Sequence, residues 1–134
     1  MAALVSVLTG DFAPYPGARS EPWLDKYRNE ANAALARISR DQPQAQMWIT
    51  NDSFEKVREF YAKRGVEDTE FGALIAKTMS DSTKRKVFAT YVVFDGAGGA
   101  VLSRYYLAIQ RPVVVAYHPL DVRDVTLISL YQQR

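Results

Sequence analysis

Residues 51–65, NDSFEKVREFYAKRG, form the one segment whose start, buried face and end can all be read from the sequence. Asp52 is placed to cap a helix, and Glu55 three residues later completes a D-x-x-E capping box over the first backbone N–H groups. Phe54, Val57, Phe60 and Tyr61 recur at helical spacing on one side, whereas Glu55, Lys56, Arg58, Glu59 and Lys63 fall elsewhere. One wall of a core follows. Lys63 and Arg64 suit the negative end of the helix dipole, and Gly65 can adopt the left-handed conformation that ends a helix.

Upstream, Ala45–Thr50 (AQMWIT) alternates well enough for a short strand that runs directly into this helix. Before it, Asp41, Gln42 and Pro43 break an earlier helix that starts at Ser20 to Pro22 and runs to about Ser39. Its stripe is Leu24, Tyr27, Ala31, Ala34, Leu35 and Ile38, and the alanines permit close approach to a neighbour. Residues 9–20, TGDFAPYPGARS, carry two prolines and two glycines and read as a leader loop. The first ten residues, MAALVSVLTG, are too short to span a bilayer and have no basic flank. They read either as a first β-strand or as what remains of a trimmed export signal.

Downstream, Phe71, Leu74, Ile75 and Met79 predict a short third helix, which Gly72 weakens by roughly 1 kcal/mol relative to alanine. SDS at 80–82 reads as a loop. KRKVFATYVVF (84–94), DGAGG (95–99) and AVLSRYYLAIQ (100–110) then predict a hairpin. Tyr105, Leu107 and Ile109 share one face of the return strand, and Arg104, Tyr106 and Gln110 the other. VVVAY (113–117) predicts another strand, HPLD turns, and VRDVTLISLY (122–131) supplies the last. Helices early and strands late define an α+β domain spanning 1–134: an antiparallel sheet, mainly from the C-terminal half, with two or three helices packed on one face. The segment 87–94 is apolar on both sides, Val87, Ala89, Tyr91 and Val93 against Phe88, Thr90, Val92 and Phe94. The second face therefore needs cover from the leader, a second subunit or a ligand.

Composition narrows the function classes. The 134 residues are 48% hydrophobic and 24% charged, ordinary globular usage, and contain no cysteine, which excludes disulfides and thiolate metal sites. Seventeen basic against fifteen acidic residues give a net charge of only +2, so charge does not imply nucleic acid. His118 is the single histidine, too little for a metal site, and no G-x-S-x-G elbow accompanies it and Asp121. DGAGG lacks the G-K-[ST] of a phosphate loop. Glu67, Asp68 and Glu70 match no EF-hand spacing and suit a solvated helix start. Asn51-Asp52-Ser53 matches a glycosylation acceptor, but capping explains its residues. Neither metal nor cofactor is expected, and no catalytic constellation emerges.

YPGA at 15–18, TNDSFEKVREFY at 50–61, FDGA at 94–97 and IQRP at 109–112 resemble a family of small exported bacterial proteins. The resemblance implies a periplasmic or cell-envelope location and brings no catalytic residue with it. The expectation is a non-catalytic exported domain that binds a protein partner or small ligand, or a second copy of itself, through the second sheet face. The alternative is a small anion-binding module or enzyme. Arg104, Tyr106, Arg111 and His118 are the candidate ligand-binding residues, since arginines beside a tyrosine suit phosphates or stacked rings.

Overall fold

The computed structural model describes residues 12–39 and 41–133, so the readings placed on the first ten residues lie outside it. Among the described residues the elements run α1 (Pro22–Ile38), β1 (Gln44–Thr50), α2 (Phe54–Ala62), β2 (Val66–Asp68), α3 (Thr69–Thr83), β3 (Phe88–Val93), β4 (Tyr105–Arg111), β5 (Val113–Tyr117), β6 (Leu120–Arg123) and β7 (Thr126–Gln132). Five strands form an antiparallel sheet in the order β1-β7-β4-β3-β2, and β5 and β6 make a separate hairpin. The domain is α+β. The expected last strand is split at Asp124, its start serving as the outer arm of the hairpin and its remainder as the sheet's second strand.

The register decides what each face carries. Leu107 pairs with Val92 and Leu130, and Ile109 with Thr90 and Ile128, so these side chains share one face. Val57 and Tyr61 of α2 close over them, and all but Leu130 and Thr90 are essentially without exposure. The leader completes this cover: Phe12 stacks on Trp48 and Tyr61, Tyr15 meets Phe60 edge-on, and the Tyr61 hydroxyl donates to the Ala13 carbonyl at 2.6 Å. The opposite face carries Ala45, Met47, Ile49 and Leu127, against which Leu24 of α1 and Val113 of the hairpin pack. Phe71 of α3 reaches the same face at Tyr91, ring centroids 4.7 Å apart.

The helices are therefore divided between the two faces rather than packed on one. The cause lies in the doubly apolar strands, which offer a surface to α2 on one side and to α1 and α3 on the other.

Several local readings need correction. Ser53, not Asp52, caps α2: its Oγ accepts from the Lys56 N–H at 3.2 Å. Asp52 instead accepts from the Tyr15 hydroxyl at 2.5 Å and meets Lys56 at 3.5 Å. The Tyr15 hydroxyl holds the Asp52 carboxyl below its ordinary value, while burial and that carboxylate push Tyr15 up to about 12. Gly65 is not left-handed; a Cβ there would lie 2.7 Å from Val92 Cγ1 and 2.9 Å from the Val93 carbonyl, so it is glycine because the chain leaving α2 passes tight against β3. The third helix runs on to Thr83, taking in the predicted 80–82 loop, and ends where Lys84 turns left-handed at φ 58°. Leu74 on this helix is exposed, as is Ile38 at the end of α1.

The sheet edges are closed by short-range devices. The Asn32 amide brackets Ala45 with two hydrogen bonds of 2.8 and 3.0 Å, and Arg19 pairs with Ile49 at 2.8 and 2.9 Å. Two of the outward-facing positions of β1 are thus satisfied within the chain. At the other edge β2 is three residues long, and Gly72 of α3 lies against the Ala89–Thr90 backbone of β3. Such protection disfavours sheet extension by a second copy.

Candidate functional site

The centre of the sheet is asymmetric. On β4, the middle strand, Leu107 and Ile109 are wholly buried under α2, but Ala108 between them remains partly open to solvent on the other face. Its cross-strand partners there are Tyr91 and Ser129. Of these, Ser129 is buried and Tyr91 half-buried, so the partial opening on this face is confined to Ala108 itself.

Tyrosine rings surround this position. Tyr106, two residues before Ala108 on the same face, stacks on Tyr131 with centroids 4.9 Å apart and planes 13° apart. Tyr91 is 6.1 Å from Tyr106, and Phe71 continues the row onto α3. Tyr27 of α1 lies close enough for its phenol to influence those of Tyr91 and Tyr131. All five rings are half-buried. Burial is the first cause of a raised ionisation for each phenol, pushing Tyr91 up to about 12 and moving Tyr27, Tyr106 and Tyr131 in the same direction.

Among the described residues no hydrogen bond ties the hydroxyls of Tyr27, Tyr91 or Tyr106 to protein, and none is sealed away without a partner, so each reaches solvent. No charged side chain contributes to the shifts of these three. A row of half-buried rings whose hydroxyls reach solvent suits an uncharged partner: it offers contact area and adaptable hydrogen bonds at low conformational cost.

Of the four candidate residues from the sequence, only Tyr106 lies here. Arg104 precedes β4 at the far end of the strand from Arg111, ~23 Å away at strand rise. Its guanidinium is bonded to the Asp41 carbonyl at 3.3 Å and to the Gln133 side chain. Arg111 is a tie-bar on the α2 side of the sheet, donating to the carbonyls of Asn51 and Asp52, to Thr126 Oγ1 and to Asp124. His118 is exposed in the two-residue turn of the β5–β6 hairpin. The four do not converge. What the sequence reading missed, Tyr27, Phe71, Tyr91, Ala108 and Tyr131, could be gathered only once the register put three tyrosines from three strands side by side.

Hollows lie elsewhere on the surface, one of about 350 Å³ beside Arg28, Asn32 and Gln44 among them, and two of the others are already occupied by internal contacts. A groove of about 460 Å³ runs between the leader and α2, but Tyr15, Asp52 and Lys56 in it already satisfy one another. A hollow of about 270 Å³ beside Gly98 and Gly99 is walled by Glu67, Asp68 and Glu70. There Glu67 is engaged by Arg58 at 2.9 Å and Thr90 at 2.6 Å, and Asp68 caps α3 and accepts from the Ala100 N–H. Among the described residues no group of three or more histidines, aspartates and glutamates gathers as a metal site, and no helix is long and apolar enough to cross a membrane.

Comparison of the chain with protein-family models, with curated proteins and with solved structures finds no match in any of the three. The likeness to small exported bacterial proteins therefore rests on its four motifs alone. Three of them meet in space: Tyr15 of YPGA and Arg111 of IQRP both bond to the Asn51–Asp52 turn that opens the helix motif. Their convergence has a structural use, fixing the start of α2.

Proposed function

We propose that this is a non-catalytic binding domain that takes a small ligand on the face of its sheet opposite α2, against the tyrosine-rich surface around Ala108. The observation that carries this reading is Ala108 itself. In a five-stranded sheet the middle strand is normally the best covered, and here Ala108 keeps some exposure on the face opposite α2 although Ser129 and Met47 in the same row are buried. The closed sheet edges favour a small occupant over a second protein, which would need a broad flat surface. A periplasmic or cell-envelope location goes with the reading through the motif resemblance.

The test is a titration of isotope-labelled protein with small aromatic fragments, followed through the Ala108 methyl and the tyrosine rings. Shifts concentrated on Tyr91, Tyr106 and Ala108, and lost when Ala108→Leu fills that position, support the assignment. Shifts confined to the Tyr15–Lys56–Lys63 groove would move the site to the other side of the molecule and overturn it.

A further inference from the structure

We infer that the corner joining α3 to β3, Lys84, Arg85 and Lys86 with the Phe88 ring beside them, docks the domain peripherally onto an anionic lipid surface. Phe88 belongs to the α2 side of the sheet, so this contact is independent of the surface around Ala108.

Charge marks the corner out. All three cations are exposed, and among the described residues none forms an ion pair. Elsewhere on the surface Lys26, Lys56, Lys77 and Arg123 each sit beside an acid. Lys84 acts on Asp81, but that carboxylate is already held by Lys77 at 2.7 Å. The formal net charge of the chain is +2 and without these three cations would be −1, so positive potential is concentrated here.

The backbone keeps this charge at a cost. Lys84 ends α3 in the left-handed region at φ 58°, the only residue other than glycine to do so among the described residues. Glycine is the residue such a position favours, because it has no Cβ to strain. Around Lys84 the loop is fixed: Thr83 Oγ1 donates to the Met79 carbonyl at 2.7 Å and accepts from the Arg85 N–H at 3.3 Å. Ser80 Oγ accepts from the N–H of Val87, which is buried, at 2.9 Å. The cations are thus presented from a backbone that needs little further ordering on contact.

The ring decides the kind of partner. Phe88 is 47% exposed, stacks on Phe54 with centroids 5.6 Å apart, and has Lys86 Nζ 5.5 Å from its own centre. An apolar ring among cations suits the boundary of a bilayer, where the ring enters the acyl region and the charged groups meet lipid phosphates. These residues line none of the hollows described above, and a fluid lipid surface needs no groove to receive them. A nucleic acid would demand a longer track of cations and stacking platforms.

The experiment is sedimentation of the intact chain with vesicles of phosphatidylcholine, alone or mixed with phosphatidylglycerol, at low and high salt. The expected result is binding to the anionic vesicles roughly tenfold or more tighter than to the neutral ones, and lost at high salt. One basic residue at an anionic surface contributes about 1 kcal/mol, or about fivefold, so Arg85→Ala with Lys86→Ala should weaken binding by about 25-fold. Lys84→Gly should weaken it about fivefold while leaving Tm unchanged or raised, which separates lost docking from lost folding. Phe88→Thr should weaken binding several-fold and leave its salt dependence as it is. Equal binding to neutral and anionic vesicles, or anionic binding unaltered in the double variant, would refute the proposal. So would tighter binding to polyglutamate or to single-stranded DNA than to the anionic vesicles, since either would assign the corner to a different polyanion.

Discussion

Replacing Gly72 with alanine sets two effects of opposite sign against each other at one atom. Gly72 lies in the first turns of α3, where alanine's better helix propensity is worth roughly 1 kcal/mol. The structure predicts the reverse outcome. A Cβ on residue 72 would stand 2.8 Å from both the Ala89 carbonyl oxygen and the Thr90 Cα, against 3.4 Å or more for ordinary contact. Both are backbone atoms of β3, which is held by β4 along its whole length, so neither can swing aside. The helix must instead retreat by the difference, 3.4 − 2.8 = 0.6 Å or more, loosening Phe71 from Tyr91. Overpacking against a fixed wall costs about 2–3 kcal/mol, which leaves a net loss of roughly 1–2 kcal/mol after the propensity gain. For a domain of this size that is a fall in Tm of about 3–8 °C. Thermal and urea unfolding of Gly72→Ala, beside Ala73→Gly on the exposed side of the same helix, separates the terms: both variants should be destabilised, the first for contact and the second for propensity. A Gly72→Ala protein more stable than the parent would refute the close approach of α3 to β3.

Three further outcomes follow from the same contacts. Ser53→Ala should destabilise the fold by about 1 kcal/mol in urea unfolding through loss of the α2 cap; no loss from Ser53→Ala would remove Ser53 as the cap. Arg111→Lys should cost on the order of 2 kcal/mol in urea unfolding, because one ammonium cannot reach the Asn51, Asp52, Thr126 and Asp124 oxygens together. The phenols make stability fall at high pH: in the folded chain Tyr15 and Tyr91 ionise near 12, in the unfolded chain near 10, so their contribution is complete below about pH 10 and is lost as pH rises towards 12. Urea unfolding between pH 9 and 12 should show this decline, with phenolate absorbance lagging behind that of free tyrosine; absorbance rising with a single midpoint at 10 would contradict the burial of these rings.

The parts of this fold legible in the sequence are those that local chemistry decides. The α2 stripe was readable because Val57 and Tyr61 are one helical turn apart with charges on the other side, and both are fully buried. The two-sided character of 87–94 was readable because β-branched and aromatic residues fill both alternations. Where two residues could play one part, the reading slipped: Asp52 and Ser53 are both good caps, and the contact with Tyr15 from a distant loop removes Asp52 from the choice. Gly65 misled in a similar way, since a glycine needed for a close approach looks the same as one needed for a left-handed turn. The site was hardest to read. Tyr106 could be placed on the more polar side of its strand, but Tyr91 and Tyr131 become its neighbours only through pairing between strands far apart in the chain. Arg104, Arg111 and His118 were grouped by proximity in sequence, whereas a strand of seven residues carries its two ends to opposite sides of the domain.

The claim that the middle strand reaches solvent at Ala108, on one face alone, can be tested with single thiols, because the chain has no cysteine of its own. Ala108→Cys and Ile109→Cys place a thiol on either face of β4, and each is exposed to a small neutral maleimide under native conditions. The account predicts that the thiol at 108 reacts in the folded chain well ahead of unfolding, while the thiol at 109 reacts only as fast as the protein unfolds. Equal protection at both positions would mean that the second face is covered, and would contradict the account.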